Sequence, residues 1–209
     1  MTGHIVTRWY RAPEIILLEK DYGPAVDMWG IGCIVGELFA MLKQNSATFL
    51  DRKPLFPGKS CFPLSPDQNP NKILNGFPIA SGDQLSMIFS LLGTPSDADK
   101  SFVTDQKALE YLDTFKFIPR ADFAMKFPGC SAEAVDFLNK MLVFNPHFRM
   151  TLEDAIKHPF LDNVRTEKST KWSGSNIDFQ FDKIDLTKDQ LRSLFLNEIH
   201  YYQKDKNIL

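Results

Sequence analysis

The chain has 209 residues, 44% of them hydrophobic, and a formal net charge of -2. That is enough apolar material for one domain with a core. Near-balanced charge and scattered basic residues exclude a general pull toward nucleic acid or an anionic membrane. Cys33, Cys61 and Cys130 are odd in number and lack ligand spacing, and His4, His147, His158 and His200 form no pair one helical turn apart. Reduced thiols in an intracellular protein, and no metal site, are the expectation.

In chain order, residues 1–15 show little periodicity and predict a loop entering a short helix. No basic stretch leads into an apolar run at the start, so no signal peptide is expected. Pro24 opens a helix reaching about Lys43, proline being tolerated in a first turn where its missing N–H has no partner anyway. Val26, Met28, Trp29, Ile31, Ile34, Val35, Leu38, Phe39 and Met41 go nearly all the way round it, which predicts a helix buried on every side. Its most apolar window, 31–42, is broken by Glu37 and is too short to span a bilayer.

Residues 44–82 change character, with Pro57, Pro63, Pro66 and Pro70 set among Asn, Asp, Gly and Ser. They predict a long surface insertion, partly disordered, whose Leu55-Phe56-Pro57-Gly58 start is pinned to the body. Leu85, Ile88, Phe89 and Leu92 restore helical spacing over 83–93, closed by Gly93. Two short helical pieces are expected around 105–115, then a helix capped by Ser131. Thr151 with Asp154 reads as a capping box for a short helix ending at His158-Pro159. After an aperiodic stretch over 165–186, Thr187 with Gln190 caps a last amphipathic helix carrying Leu191, Leu194, Phe195, Ile199 and Tyr202 on one stripe. Strand signals are almost absent, so the body is expected to be mainly α.

Two phosphate-motif lookalikes fail on context. Gly30-Ile31-Gly32 with Gly36 is one residue off a dinucleotide fingerprint and lies within a helix. Gly58-Lys59-Ser60 lacks the glycine a P-loop needs at position 53, where Lys53 stands.

The informative string is Thr7-Arg8-Trp9-Tyr10-Arg11-Ala12-Pro13-Glu14. It is followed in order by Asp27-Met28-Trp29 with Gly32-Cys33, Pro54-Leu55-Phe56-Pro57-Gly58, Asp83-Gln84-Leu85 and Leu92-Gly93-Thr94-Pro95. Asn145-Pro146 with Arg149 and Thr151, then His158-Pro159-Phe160, complete the series. Together these resemble the end of the activation segment and the C-terminal lobe of protein kinases of the group containing MAP kinases and cyclin-dependent kinases. The extra helical pieces between Pro95 and Pro128, the amphipathic tail and Met141-Leu142-Val143-Phe144-Asn145-Pro146 resemble MAP kinases in particular. The Pro-rich 59–82 segment resembles the insertion of divergent protist MAP kinases.

The resemblance implies a mainly α, protein kinase-like C-terminal lobe without its N-terminal lobe. A partial kinase domain is expected over 1–163, with an insertion at 44–82 and a MAP kinase-type insert at 96–128, then a C-terminal extension over 164–209. Thr2-Gly3-His4 falls where MAP kinases have Thr-x-Tyr. Thr2 is the implied phosphorylation site, by a single-site or autophosphorylation route because His4 has no hydroxyl; an ordinary loop threonine is the alternative. Thr7 resembles the threonine that bonds the catalytic aspartate and lysine. Arg8 and Arg11 resemble the pair shaping the pocket after the phosphoacceptor, which implies Ser/Thr-Pro substrates; solvated loop charges are the alternative.

Glu14 and Arg149 resemble a buried ion pair with a structural role. Asp27 resembles the helix aspartate that anchors the catalytic loop, and with that loop missing it is expected to stand exposed. Ile16, Leu17, Leu85 and Tyr111 match a surface for aromatic docking peptides, with Ser81 and Gly82 at its less apolar positions; ordinary core is the alternative. Asp182 and Asp185 are candidates for an acidic patch holding basic docking peptides.

Phosphoryl transfer needs phosphates covered, Mg²⁺ held and a base for the hydroxyl. The Gly-rich loop, strand lysine, His-Arg-Asp loop and Asp-Phe-Gly that serve a kinase do not occur in this sequence. ATP and Mg²⁺ are therefore implied for a full-length kinase and not for this chain, which is expected to be inactive alone. Two functions fit: the substrate-binding and regulatory part of a Ser/Thr kinase, or a non-catalytic binding module using the docking surfaces. Either is expected to be a monomer in the cytoplasm or nucleus. Without an N-terminal lobe to cover its last helix, the chain is expected to be marginal or aggregation-prone.

Overall fold

The computed structural model describes residues 7–64, 73–74, 77–78, 82–166, 174 and 183–204. The chain divides into two compact units, Met1–Thr166 and Glu167–Leu209. The first unit is mainly helical. Its elements are α1 (Pro13–Ile16), α2 (Ala25–Ala40), the two-residue strands β1 (Ile73–Leu74) and β2 (Phe77–Pro78), α3 (Gln84–Leu92), α4 (Gln106–Asp113), α5 (Phe123–Lys126), α6 (Ala132–Met141) and α7 (Leu152–Lys157). β1 and β2 pair antiparallel, Ile73 opposite Pro78 and Leu74 opposite Phe77. The second unit holds α8 (Lys188–Lys204).

Local chemistry starts these helices. Asp83 caps α3 by accepting from the Leu85 N–H, Asp105 caps α4 and Ser131 caps α6. At α7 the Thr151 hydroxyl takes the Asp154 N–H at 3.2 Å. At α8 Thr187 and Gln190 bond reciprocally, through Thr187 N–H to Oε1 at 2.8 Å and Gln190 N–H to Oγ1 at 3.4 Å. Gly93 ends α3 at φ 80°, where a Cβ would meet the Arg120 backbone N at 2.7 Å, so only glycine fits there. The short pieces expected around 105–115 are a single helix, α4, with α5 following it separately.

The core centres on Trp29 of α2. Phe56 stacks on its indole at 5.5 Å between centroids, and the Arg149 guanidinium lies over the ring at 5.2 Å. Phe56 is fully buried and fixes the start of the insertion. α6 packs along α2, where Gly32 admits Met141 and Leu142. Asn145 is fully buried and pins a distant turn, donating to the Ala98 carbonyl at 3.1 Å and the Ser101 hydroxyl at 3.0 Å.

α2 corrects the expectation of a helix buried on every side. Met28, Trp29, Gly32, Cys33, Gly36 and Phe39 face the core. Ile31, Ile34, Leu38, Met41 and Leu42 face out, Ile34 and Leu38 being 52% and 55% exposed. The apolar residues do circle the helix, but the described residues supply packing partners to one side only. α8 likewise carries its described side chains exposed, Leu191, Leu194, Phe195, Ile199 and Tyr202 among them.

Candidate functional site

Residues 7–14 lie against the body as a turn followed by a clamp. Arg8–Tyr10 form one 3-10 turn, with the Tyr10 N–H on the Thr7 carbonyl at 3.0 Å and the Arg11 N–H on the Arg8 carbonyl at 3.3 Å. Thr7 itself is exposed. Two side chains staple this turn to the insertion: Arg8 Nη1 donates to the Lys59 carbonyl at 2.6 Å and Trp9 Nε1 to the Gly58 carbonyl at 3.1 Å. Tyr10 donates its hydroxyl to Glu37 of α2 at 2.8 Å, and that bond is the main reason its pKa rises above the ordinary tyrosine value. Arg11 is buried beside the Cys61 thiol; burial pushes that thiol up while Arg11 pulls it back. Neither arginine is a freely solvated loop charge.

Glu14 of α1 meets Arg149 through two parallel bonds, Nη1 to Oε1 at 2.8 Å and Nη2 to Oε2 at 3.0 Å. Arg149 spends its remaining donors on the carbonyls of Val143, Phe144 and Ala25, so both charges are buried with their hydrogen bonds made. Asp27, in the first turn of α2, is exposed, and no side-chain partner meets it among the described residues.

Ile16, Leu17, Leu85 and Tyr111 are each 0% exposed and belong to the core. Their burial has a visible source at Tyr111, whose ring is covered edge-on by Phe62 of the insertion at 4.6 Å. Gly82 has φ 95° and leads into α3. Asp185 is exposed in the second unit. Thr2, His4, Ser81 and Asp182 lie outside the described residues. Among the described residues no group of three or more His, Cys, Asp and Glu is placed to hold a metal ion, and no helix is long and apolar enough to cross a membrane.

Asp83 does more than its place in a motif suggests. Its carboxylate accepts from the Ser60 hydroxyl and the Phe62 N–H, both at 3.0 Å, from the Leu85 N–H at 3.2 Å and from the Tyr111 hydroxyl at 3.3 Å. Burial and then this carboxylate drive the Tyr111 pKa well above the usual range. The helical spacing places Asp83 at the start of α3, but its capping role and its donors from distant segments emerge only in the structure. Asn45 was missed for the same reason: it donates to the Phe39 carbonyl at 2.8 Å and accepts from the Gly129 N–H at 2.6 Å.

A helical body whose Ala-Pro-Glu segment is clamped by a buried arginine defines a protein kinase C-terminal lobe. Comparison with known proteins agrees: residues 1–161 match the protein kinase domain family. The chain is 35% identical over 198 residues to the mitogen-activated protein kinase homolog NTF6 of Nicotiana tabacum, covering 95% of this chain and 45% of that protein. It is 33% identical to mitogen-activated protein kinase 11 of Arabidopsis thaliana over the same shares of each chain. Against the mitogen-activated protein kinase mpk-1 of Caenorhabditis elegans it is 32% identical, covering 98% of this chain and 39% of that one. The chain belongs to the serine/threonine protein kinases, in their mitogen-activated branch. It spans less than half the length of these curated relatives.

Proposed function

We propose that this chain is the part of a proline-directed Ser/Thr kinase that seats the protein substrate and carries its regulatory contacts. The observation that carries this reading is the fixed turn at 7–11. Arg8 and Trp9 fasten it to the carbonyls of Lys59 and Gly58, while the Glu14–Arg149 pair clamps α1 just behind it. The carbonyls of Thr7 and Arg8 are already taken by N–H groups within the turn. A substrate residue crossing it finds few free acceptors for a backbone N–H. Proline has no N–H to leave unpaired, so it is the residue that loses least.

In this reading Thr7 offers its exposed hydroxyl toward the reacting groups, and Arg8 and Arg11 hold the shape of the pocket after the phosphoacceptor. Asp27 anchors backbone N–H groups of a catalytic loop. A phosphate on Thr2 adds roughly -1.5 to -2 charge that can dock on arginines; phosphopeptide mapping that finds Thr2 unmodified in active enzyme ends that part of the proposal. Docking peptides of regulators engage the Tyr111 region and, through basic residues, the tail acids Asp182 and Asp185. The whole enzyme moves the γ-phosphoryl of ATP, with Mg²⁺, to a Ser or Thr hydroxyl; no residue of this chain is assigned to either group. The cytoplasm or nucleus is the proposed setting.

The test uses two labelled peptides, alike except for Ser-Pro in one and Ser-Ala in the other, titrated into the chain by fluorescence polarisation. The Ser-Pro peptide is expected to bind more tightly, and Arg8→Ala to remove the difference. With Mg-ATP added, the chain alone is expected to transfer no phosphate. Equal binding of the two peptides, or turnover by the chain alone, would defeat the proposal.

A further inference from the structure

We propose that residues 46–53, at the start of the insertion, dock together with α5 on an anionic membrane surface and take a lipid phosphate between Lys53 and Lys126. The inference is independent of the substrate-binding reading above.

This stretch is fixed against the body. Asn45 ties it to the end of α2 through the Phe39 carbonyl and to the turn after α5 through the Gly129 N–H. A few residues on, Asp51 Oδ2 accepts from the Thr48 N–H at 3.1 Å and from the Thr48 hydroxyl at 2.8 Å, which sets a single 3-10 turn over Phe49–Asp51. The end of α2, this stretch and the end of α5 enclose a cavity of about 260 Å³, with Ser46, Asp51, Lys53, Lys126 and Phe127 on its lining.

The cavity is chemically suited to an anion. Among the described residues neither Lys53 nor Lys126 has a carboxylate within ion-pair distance, and the Ser46 hydroxyl has no hydrogen-bond partner. The Lys126 ammonium lies over the buried Phe127 ring, 5.7 Å from its centre. Asp51 is the one acid on the lining, and its Oδ2 is already held by Thr48. Two separate ammoniums and a hydroxyl suit the several oxygens of a phosphate, each lysine acting as a point charge.

The rim selects a lipid over a soluble phosphate. Phe49 and Leu50, next to Asp51, are 73% and 70% exposed, and Met125, next to Lys126, is 82% exposed. A soluble anion would leave these side chains in water. A membrane interface takes apolar side chains into the boundary between headgroups and acyl chains, while anionic lipids attract the cations beside them. Lys43 and Arg52 are exposed in the same stretch, so segments 41–55 and 122–127 set Lys43, Arg52, Lys53 and Lys126 against Asp51 and Asp122 alone. The attraction is thus local, in a chain whose overall charge is near balance. The fixed 3-10 turn holds Phe49 and Leu50 in place, so little ordering remains to be done on docking.

The test is flotation of the full chain with vesicles of phosphatidylcholine alone, or with about a quarter of the lipid replaced by phosphatidic acid. The chain is expected to float with the acidic vesicles only. Phe49→Ser with Leu50→Ser, and Lys53→Glu with Lys126→Glu, should each weaken partitioning by roughly tenfold or more. Flotation that survives either pair of changes overturns the inference. So does flotation lost instead with Leu38→Glu on α2 or Phe195→Ser on α8, which would place the contact on another apolar face. Inorganic phosphate that binds the chain while acidic vesicles fail to float it would show a soluble-anion site and also overturn the docking. Should a variant fail to fold, hydrogen exchange in the unaltered chain decides: slower exchange at 49–53 and 125–126 on adding acidic vesicles supports the inference, and unchanged exchange overturns it.

Discussion

Arg149 and Glu14 meet in the core as a doubly bonded pair although 135 residues separate them in sequence. Neither side chain has more than a trace of exposure. Glu14→Gln leaves Arg149 as an uncompensated buried charge, and the expected loss is about 3–5 kcal/mol. Arg149→Met should cost a similar amount. The double variant should recover part of it, because a buried pair replaced by apolar or neutral groups is often close to neutral. Urea denaturation measures all three; a single variant as stable as the parent would show that the pair is not buried in solution.

Gly58 sits where the insertion passes closest to α3. A Cβ there would lie 2.8 Å from Gln84 Cα and 3.0 Å from Gln84 N, both backbone atoms that cannot swing aside. Gly58→Ala should therefore push the two segments apart, breaking the Gly58 N–H bond to Gln84 Oε1 at 3.1 Å. The expected cost is about 1–3 kcal/mol, as for other overpacking, read as a lowered thermal midpoint. Gly30 makes the control, since a Cβ there meets nothing within 4 Å.

The outer face of α2 gives the opposite expectation. Ile34→Lys and Leu38→Glu replace side chains that are more than half exposed, so each should shift stability by no more than about 0.5 kcal/mol. Combined, they should reduce self-association, because they break a contiguous apolar stripe. Static light scattering across a concentration series tests this, with Trp29→Ala as the contrasting core variant. If the surface pair unfolds the chain as Trp29→Ala does, that face is covered in solution.

Acid stability should carry a contribution from Asp136. Its carboxylate accepts from Lys140 at 2.7 Å and sits 3.0 Å from His158 Nε2, and these two bonds hold its pKa below the usual value. The folded-state pKa is depressed, so the stabilisation is present above the unfolded value of 3.8 and is lost as pH falls through the lower folded value. Half of the side chain is exposed, so screening keeps the effect small. Asp136→Asn should lower stability slightly at neutral pH, flatten the acid limb of the stability–pH curve and bring the two proteins together at its acid end. An identical acid limb in the two proteins would rule the contribution out.

What could be read from sequence was what neighbouring residues decide. The caps at Ser131, Thr151 and Thr187 arise from a side chain and a backbone N–H three positions on. Glu14 and Arg149 came only through resemblance, since nothing local links residues so far apart. Ile31, Ile34 and Leu38 show why a fully apolar helix does not announce its burial: composition gives the preference of each face, while partners elsewhere decide which face is satisfied. Asp83, Asn45 and Phe62 were missed because their contacts join segments that no periodicity connects.

The bare face of α2 has a thermodynamic signature. Apolar surface already wet in the folded state is not newly exposed on unfolding. It therefore adds nothing to the heat-capacity increment or to the denaturant slope, both of which scale with the area exposed. This chain should unfold with a shallower urea dependence and a flatter stability curve than its length suggests, and any partner that covers Ile34 and Leu38 should steepen both.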